Sequence, residues 1–411
     1  MALSRKSFRF LFLALLLVVL EGFSWLGLIA IDSLMPETEI IPTTDRIYAK
    51  QMDAVEELLD SQTGKKKSAL VLDPELGWRY REGFDSLRDI INRQGVRSRR
   101  NYEKVAGDGV TRIAVFGDSF SYGSEVSNPE AWSAQVEGIF PQFEVLNYSV
   151  PGFGVDQAYL RYLRDGKALE PRFVIIGFAP VDLRRAVNVY RRFLSTDELA
   201  LFKPRFVLDE EGDLELLEVS YKDTSDYERL LDDPQLIEDQ GKNDQWYSPS
   251  VYGNPLYDWS ATVRLATNVA IKFHREVTDP DRVLVRSDSG ERVFNTESAA
   301  FRIQSKIFEE FHQNVLEAGA VPVIMFLPAR DDIVRAQDGK PTTYSPLVDF
   351  LATNDLNYLD SVEAFVASSS GVDVGRLFAP GGHYSKEGNE ILAKFVGTRI
   401  SGIRDVSSSS P

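Results

Sequence analysis

The chain has 411 residues, enough to bury one large core or two ordinary ones, and its 43% hydrophobic and 26% charged content is that of a folded protein. Its formal net charge of −16 argues against nucleic acid as a partner, because phosphate recognition needs a basic stripe. There is no cysteine, which excludes disulfides, thiolate catalysis and zinc-cysteine sites, and the three histidines, His274, His312 and His383, are too few for a histidine-rich metal centre, so neither metal nor cofactor is expected.

Residues 10–31 form a 22-residue run in which Glu21 alone is charged, long enough for a hydrocarbon core of about 30 Å. Arg5, Lys6 and Arg9 precede it, and Asp32 and Glu37 follow it. The positive-inside rule therefore predicts a cytoplasmic N-terminus and an extracytoplasmic remainder, periplasmic or at the cell surface. A cleaved signal peptide shares the basic start, but the run is longer than an ordinary signal core and no A-x-A site follows, which favours a retained anchor. Glu21 is expected to face a helix partner, since a carboxylate facing lipid near mid-bilayer costs about 2–3 kcal/mol. The predicted organisation is a stub and anchor over 1–33, a tether and prelude over 34–104, and a main domain over 105–405.

The tether carries one helical stretch, 45–61, and the prelude is rich in arginine. From residue 112 the pattern alternates. Apolar runs at 112–116, 143–147, 173–178, 321–327 and 357–359 read as strands, with helices over 129–140, 155–169, 296–318 and 385–398 between and after them. Apolar strands separated by helices imply a mostly parallel sheet covered on both faces, with its ligand site beyond the carboxyl ends of the strands. An insertion at about 190–295 interrupts the alternation. Between residues 209 and 239 it holds thirteen acidic residues against Lys222 and Arg229, which reads as a solvated loop or flap. It also holds Trp246, Tyr247, Tyr252, Tyr257 and Trp259, which are expected to pack against the main domain rather than to stack on sugars.

The first of these strands runs straight into Gly117-Asp118-Ser119-Phe120. A serine just past the carboxyl end of a buried parallel strand is where an α/β fold exposes a nucleophile, and the helix after it aims backbone N–H groups at developing negative charge. Such a serine also suits a plain helix cap, so it needs a base nearby to mean more. His312 lies inside a long helix and His274 sits between Lys272 and Arg275 in the insertion. Only His383, in the glycine-rich run Pro380-Gly381-Gly382-His383-Tyr384-Ser385, has a loop setting that brings an imidazole over a strand edge.

Three blocks in order, Gly117-Asp118-Ser119, Asn147-Tyr148-Ser149-Val150-Pro151-Gly152-Phe153-Gly154 and His383-Tyr384-Ser385-Lys386-Glu387-Gly388-Asn389, resemble the SGNH/GDSL hydrolase superfamily. Leu76-Gly77-Trp78 and Asn92-Arg93-Gln94-Gly95-Val96-Arg97 look like the prelude of its membrane-anchored bacterial members. The resemblance covers about residues 70–205 and 297–400. It implies a three-layer α/β/α sandwich of SGNH/flavodoxin-like type, Ser119 as nucleophile, His383 as general base, and the N–H groups of Ser119 and Gly152 in the oxyanion hole. Two positions depart from the family pattern. Val181, in Phe178-Ala179-Pro180-Val181-Asp182, stands where an oxyanion-binding Asn is usual, and Pro380 stands where the acid is usual, three residues before the histidine. Asp360 and Asp373 are the candidate acids. The expected activity is serine-dependent hydrolysis or transfer of an acyl ester outside the cytoplasm, with an O-acetylated envelope glycan as the expected substrate. The alternative is a catalytically impaired domain that binds an envelope glycan or protein. The G-x-S-x-G elbow, the phosphate loop and G-x-G-x-x-G are all absent from the sequence.

Overall fold

The computed structural model describes residues 4–34, 40–369 and 373–408; residues 35–39 of the expected tether, Glu37 among them, lie outside the described residues. In chain order the described strands are β1 (Leu70–Asp73), β2 (Gly77–Tyr80), β3 (Thr111–Phe116), β4 (Phe143–Asn147), β5 (Phe173–Phe178), β6 (Arg205–Leu208), β7 (Leu214–Leu217), β8 (Leu284–Arg286), β9 (Arg292–Phe294), β10 (Val321–Phe326) and β11 (Tyr358–Asp360). Five of them form one parallel sheet in the order β11-β10-β5-β3-β4, and the other six pair as three antiparallel hairpins.

Alternation along the sheet strands sends side chains to opposite faces. Ala114, Phe116, Val174, Ile176, Ile324 and Phe326 join one core, which the helices Val155–Asp165 and Ala299–Glu317 cover. Ile113, Val115, Val145, Ile175, Val323 and Met325 join the other, under the helices Trp132–Ile139 and Lys386–Ser408. The result is a three-layer α/β/α sandwich with flavodoxin-like strand order. The chain starts at β3, steps to the edge at β4, then crosses to β5 and continues outward through β10 and β11. Its order therefore reverses between β3 and β5, and a doubly wound sheet binds its ligands outside the carboxyl ends at such a reversal.

The prelude and the insertion interlock with this sandwich. Hairpin β1–β2 lies beside the second block: Trp78 Nε1 donates to Pro151 O over 3.2 Å, and Gln157 Nε2 donates to Leu76 O over 2.7 Å. Gly77 has φ +83°, and a Cβ there would stand 2.2 Å from Phe202 O, so the opening segment of the insertion crosses directly over it. The next residue, Lys203, is fully buried; its ammonium pairs with Asp156, in the first turn of helix Val155–Asp165, and also donates to Asn188 O at 3.0 Å and Pro204 O at 2.8 Å. Burial lowers the Lys203 pKa to about 8, against the pull of Asp156.

The helix expected in the tether, Thr44–Gln62, docks on the insertion. Tyr48 donates to Glu238, and Thr44 N donates to Asp258 Oδ1 over 2.7 Å. Trp246, Tyr252 and Tyr257 are buried in the insertion's own contact with the core, whereas Trp259 is 85% exposed. The acidic stretch forms the exposed turn of hairpin β6–β7, the helix Thr224–Asp232 and the 3-10 segment Pro234–Asn243.

Candidate active site

Gly117 ends β3 with the chain so close to the next helix that a Cβ would stand 2.2 Å from Ser121 Oγ. Asp118 then caps the four-residue helix Ser119–Tyr122, accepting from Phe120 N at 2.9 Å and Ser121 N at 3.3 Å. This short helix packs on β5 at Gly177, where a Cβ would lie 1.9 Å from Ser121 Oγ. Gly177→Ala is therefore expected to lower stability by about 1–3 kcal/mol by overpacking, read as a lower denaturant midpoint at unchanged slope.

The turn after that helix carries the decisive group. Gly123 adopts φ +82°, the next residue bonds back to Ser119 O at 3.0 Å, and Glu125 follows with φ +68°, a conformation uncommon outside glycine. Arg97, buried in the prelude, holds this turn in place. Its guanidinium donates to the carbonyls of Tyr122, Gly123 and Val126 and to Asn128 Oδ1, and lies 4.0 Å from the centre of the Tyr122 ring. The motif Asn92–Arg97 thus acts through the loop that presents Glu125.

His383 comes from the opposite side. Its loop closes on itself, with Ala379 N donating to His383 O over 2.7 Å and Gly382 at φ +92°. Fully buried Asn389 ties it to the nucleophile segment by accepting from Trp132 N at 3.0 Å and donating to Tyr384 O and Ser385 O at 2.9 Å. The imidazole leans on Phe120, with ring centres 5.1 Å apart. Its Nε2 lies 2.8 Å from Ser119 Oγ, and its Nδ1 lies 2.7 Å from Glu125 Oε2. Glu125 also accepts from Gly381 N at 2.7 Å and His383 N at 3.0 Å.

Burial raises the Glu125 pKa, but the hydrogen bonds from His383 N–H, the His383 ring and Gly381 N–H outweigh it and hold the carboxyl below its ordinary range. An ionised carboxylate only accepts, which assigns the imidazole proton to Nδ1 and leaves Nε2 as the acceptor facing the Ser119 hydroxyl. The array can take a proton from Ser119 onto His383 while the carboxylate stabilises the imidazolium.

The carboxylate behind the imidazole is therefore Glu125 and neither of the two candidate aspartates, Asp360 and Asp373. Asp360 accepts from Tyr344 Oη at 2.9 Å and Val362 N at 3.0 Å, and burial raises its pKa to about 6. Asp373 caps the 3-10 turn Val374–Leu377, accepting from Gly375 N at 2.8 Å, with Arg330 3.8 Å away. Both are committed to local structure. Glu125 left only a faint signal in the sequence: a carboxylate six residues after the serine, just past a glycine turn, in a chain with proline at the usual acid position.

Gly152, in the second block, has φ +84° and sits against the Trp78 ring, where a Cβ would lie 3.4 Å away. The N–H groups of Ser119 and Gly152 find no acceptor among the described residues. Val181 stands at the start of the short helix Asp182–Arg185 and offers no side-chain donor. Four residues on, buried Arg185 joins the blocks. Arg185 Nη1 reaches Asp118 Oδ2 at 3.3 Å, Phe153 O at 2.9 Å and Asp182 Oδ1 at 2.9 Å. Burial and the neighbouring Asp118 raise the Asp182 pKa well above the usual carboxylate range. Neither His274 nor His312 contributes: His274 Nδ1 lies 3.0 Å from Thr278 Oγ1, and His312 Nε2 is buried with no hydrogen-bond partner among the described residues.

These three blocks lie at the carboxyl edge of a doubly wound sheet, the arrangement that their resemblance to the SGNH/GDSL hydrolases implies. The chain is similar to several solved structures. They include an acetyl xylan esterase, AlAXEase (14% identity, TM-score 0.34, covering 70% of this chain and 99% of that one). A second is the lipase/acylhydrolase from Enterococcus faecalis (12%, TM-score 0.31, covering 71% and 96%). A third is a member of the lipolytic protein G-D-S-L family from Veillonella parvula DSM 2008 (11%, TM-score 0.31, covering 69% and 95%). No protein-family model and no curated protein sequence matches the chain.

Proposed function

We propose that the chain is a serine-dependent acyl-ester hydrolase held at a membrane by its N-terminal helix. The observation that carries this reading is the unbroken hydrogen-bonded line from Ser119 through His383 to Glu125, with contacts of 2.8 and 2.7 Å. In the proposed reaction His383 Nε2 takes the Ser119 proton as Oγ attacks the ester carbonyl. The N–H groups of Ser119 and Gly152 receive the oxyanion. Collapse of the intermediate breaks the ester C–O bond, and the imidazolium returns its proton to the departing alcohol. Water, activated the same way, then releases the acid; a sugar hydroxyl in its place gives transfer.

The helix Arg5–Leu34 is long and apolar enough to cross a membrane, and Arg5, Lys6 and Arg9 lie at its start. The positive-inside rule then puts the catalytic domain outside the cytoplasm, where O-acetylated envelope glycans are the ester-bearing substrates at hand. A second reading, a domain that binds such a glycan without turnover, has one observation in its favour: no side-chain amide at Val181. Loss of one such donor typically costs about 10²–10³ in rate.

Full-length protein in detergent, assayed on p-nitrophenyl acetate, separates the two. A burst of nitrophenolate equal to the enzyme concentration, followed by steady turnover, is the expected result. Release no faster than the uncatalysed rate from folded protein contradicts the hydrolase reading.

A further inference from the structure

Glu21, the single charge in the apolar run, is held by the insertion. Its carboxylate accepts from Ser260 Oγ at 2.8 Å, from Thr262 N at 3.2 Å and from Ala261 N. These groups form the N-terminus of helix Ala261–Phe273, which offers free N–H groups and the positive end of its dipole. Contact continues upward. Thr262 Oγ1 donates to Ser24 over 3.0 Å, and a Cβ on Gly27 would lie 3.7 Å from Leu265. Residues 21, 24 and 27 thus meet 260–262, 262 and 265 in turn, so the two helices run side by side in the same direction.

Depth follows from helix geometry. At 1.5 Å per residue, Glu21 is about 16 Å from residue 10 and about 15 Å from residue 31, the two ends of the apolar run. If that run spans a core of about 30 Å, Glu21 lies near its middle, and whatever touches Glu21 lies at that depth too. What touches it is the insertion, which exposes large apolar side chains beside Lys272, His274 and Glu276. Leu256 is 60% exposed, Trp259 85%, Val269 60%, Phe273 56% and Val277 54%. The last three recur at four-residue spacing, which makes one stripe along the helical segment. On the anchor itself Trp25 and Ile29 are likewise exposed.

We propose that the segment from Pro255 to Thr278 is seated in the outer leaflet beside the anchor, with lipid acyl chains covering Leu256, Trp259 and Val269 and the headgroup boundary at Phe273 and Val277. This rests on the reading of Arg5–Leu34 as a membrane anchor. The catalytic domain is then fixed at one height and orientation against the bilayer. Glu21 latches the two elements together and is itself shielded from lipid by the N–H groups it receives.

The natural chain has no cysteine, so a single introduced thiol takes label at one place. Full-length Leu256→Cys and Phe273→Cys, each labelled with the environment-sensitive dye NBD, are reconstituted in phosphatidylcholine vesicles containing doxyl-labelled lipid. Trp25→Cys reports the anchor, and Glu210→Cys, on the exposed turn of hairpin β6–β7, reports water. Emission from positions 256 and 273 is expected to shift to shorter wavelength and to lose half or more of its intensity to the doxyl lipid, as at position 25, with position 210 unaffected. Quenching at 25 with water-like emission at 256 and 273 overturns the proposal and leaves the anchor intact. Water-like emission at all four positions removes the anchor as well as the seat.

Discussion

Glu125→Gln lowers turnover by about 10²–10⁴-fold with little change in KM, because it removes a group that acts on the base and not on the substrate. The carboxylate accepts three hydrogen bonds, from His383 Nδ1, His383 N and Gly381 N, at 2.7 to 3.0 Å. A glutamine side chain has one oxygen to offer. If that oxygen serves the backbone, its amide nitrogen faces Nδ1 and favours the tautomer with the proton on Nε2, which cannot accept the Ser119 proton. Glu125→Asp keeps the charge but falls one methylene short, and its activity is expected to lie between the two.

Stability separates this role from simple packing. The Glu125 pKa is lowered on folding, so the native state holds its proton less tightly than the unfolded chain does. Its contribution is complete above the ordinary carboxylate pKa and is lost as pH falls through the lowered native value. Wild type is therefore expected to melt above Glu125→Gln at pH 7, with the gap closing in strongly acidic buffer. An equal gap at both pH values contradicts an ionised, hydrogen-bonded Glu125.

Ser119→Ala removes the nucleophile, and the expected loss is larger still, about 10⁶-fold in turnover, which leaves only what binding and the oxyanion donors contribute. The side chain is 7% exposed and its hydroxyl meets His383, so a methyl group fits the space without strain. Melting temperature is expected to stay within a few degrees of wild type. Glu125→Gln in the Ser119→Ala background adds almost nothing, because the two residues work as one unit.

The sheet was legible because five apolar runs have no other use. The runs at Phe143–Asn147 and Phe173–Phe178 are strands over those very residues. The glycine-rich turns that display Ser119 and His383 were legible too, since Gly117 and Gly382 stand where the chain must bend or approach closely. The expected helix over 129–140 breaks into the 3-10 turn Asn128–Glu130 and the helix Trp132–Ile139, because Pro129 opens a turn and Ala131 takes an extended conformation between them.

Glu125 was not legible. Its role comes from a left-handed turn and from Arg97 holding that turn, and neither leaves a spacing relative to His383. The latch between Glu21 and Ser260 joins residues 239 positions apart, which no periodicity reports. Within the aromatic cluster Tyr257 is fully buried while Trp259, two residues on, is exposed. Alternation on a short helix decides that, and the composition of the segment does not.

The most direct test of the acyl-transfer reading is a mass measurement on full-length protein treated with a fluorophosphonate. One adduct per chain is expected, mapped to the peptide containing Ser119, with labelling lost in Ser119→Ala and slowed at least a hundredfold in Glu125→Gln. Folded protein that stays unlabelled, or carries its adduct on another residue, contradicts the assignment of Ser119, His383 and Glu125 as a working nucleophile, base and acid.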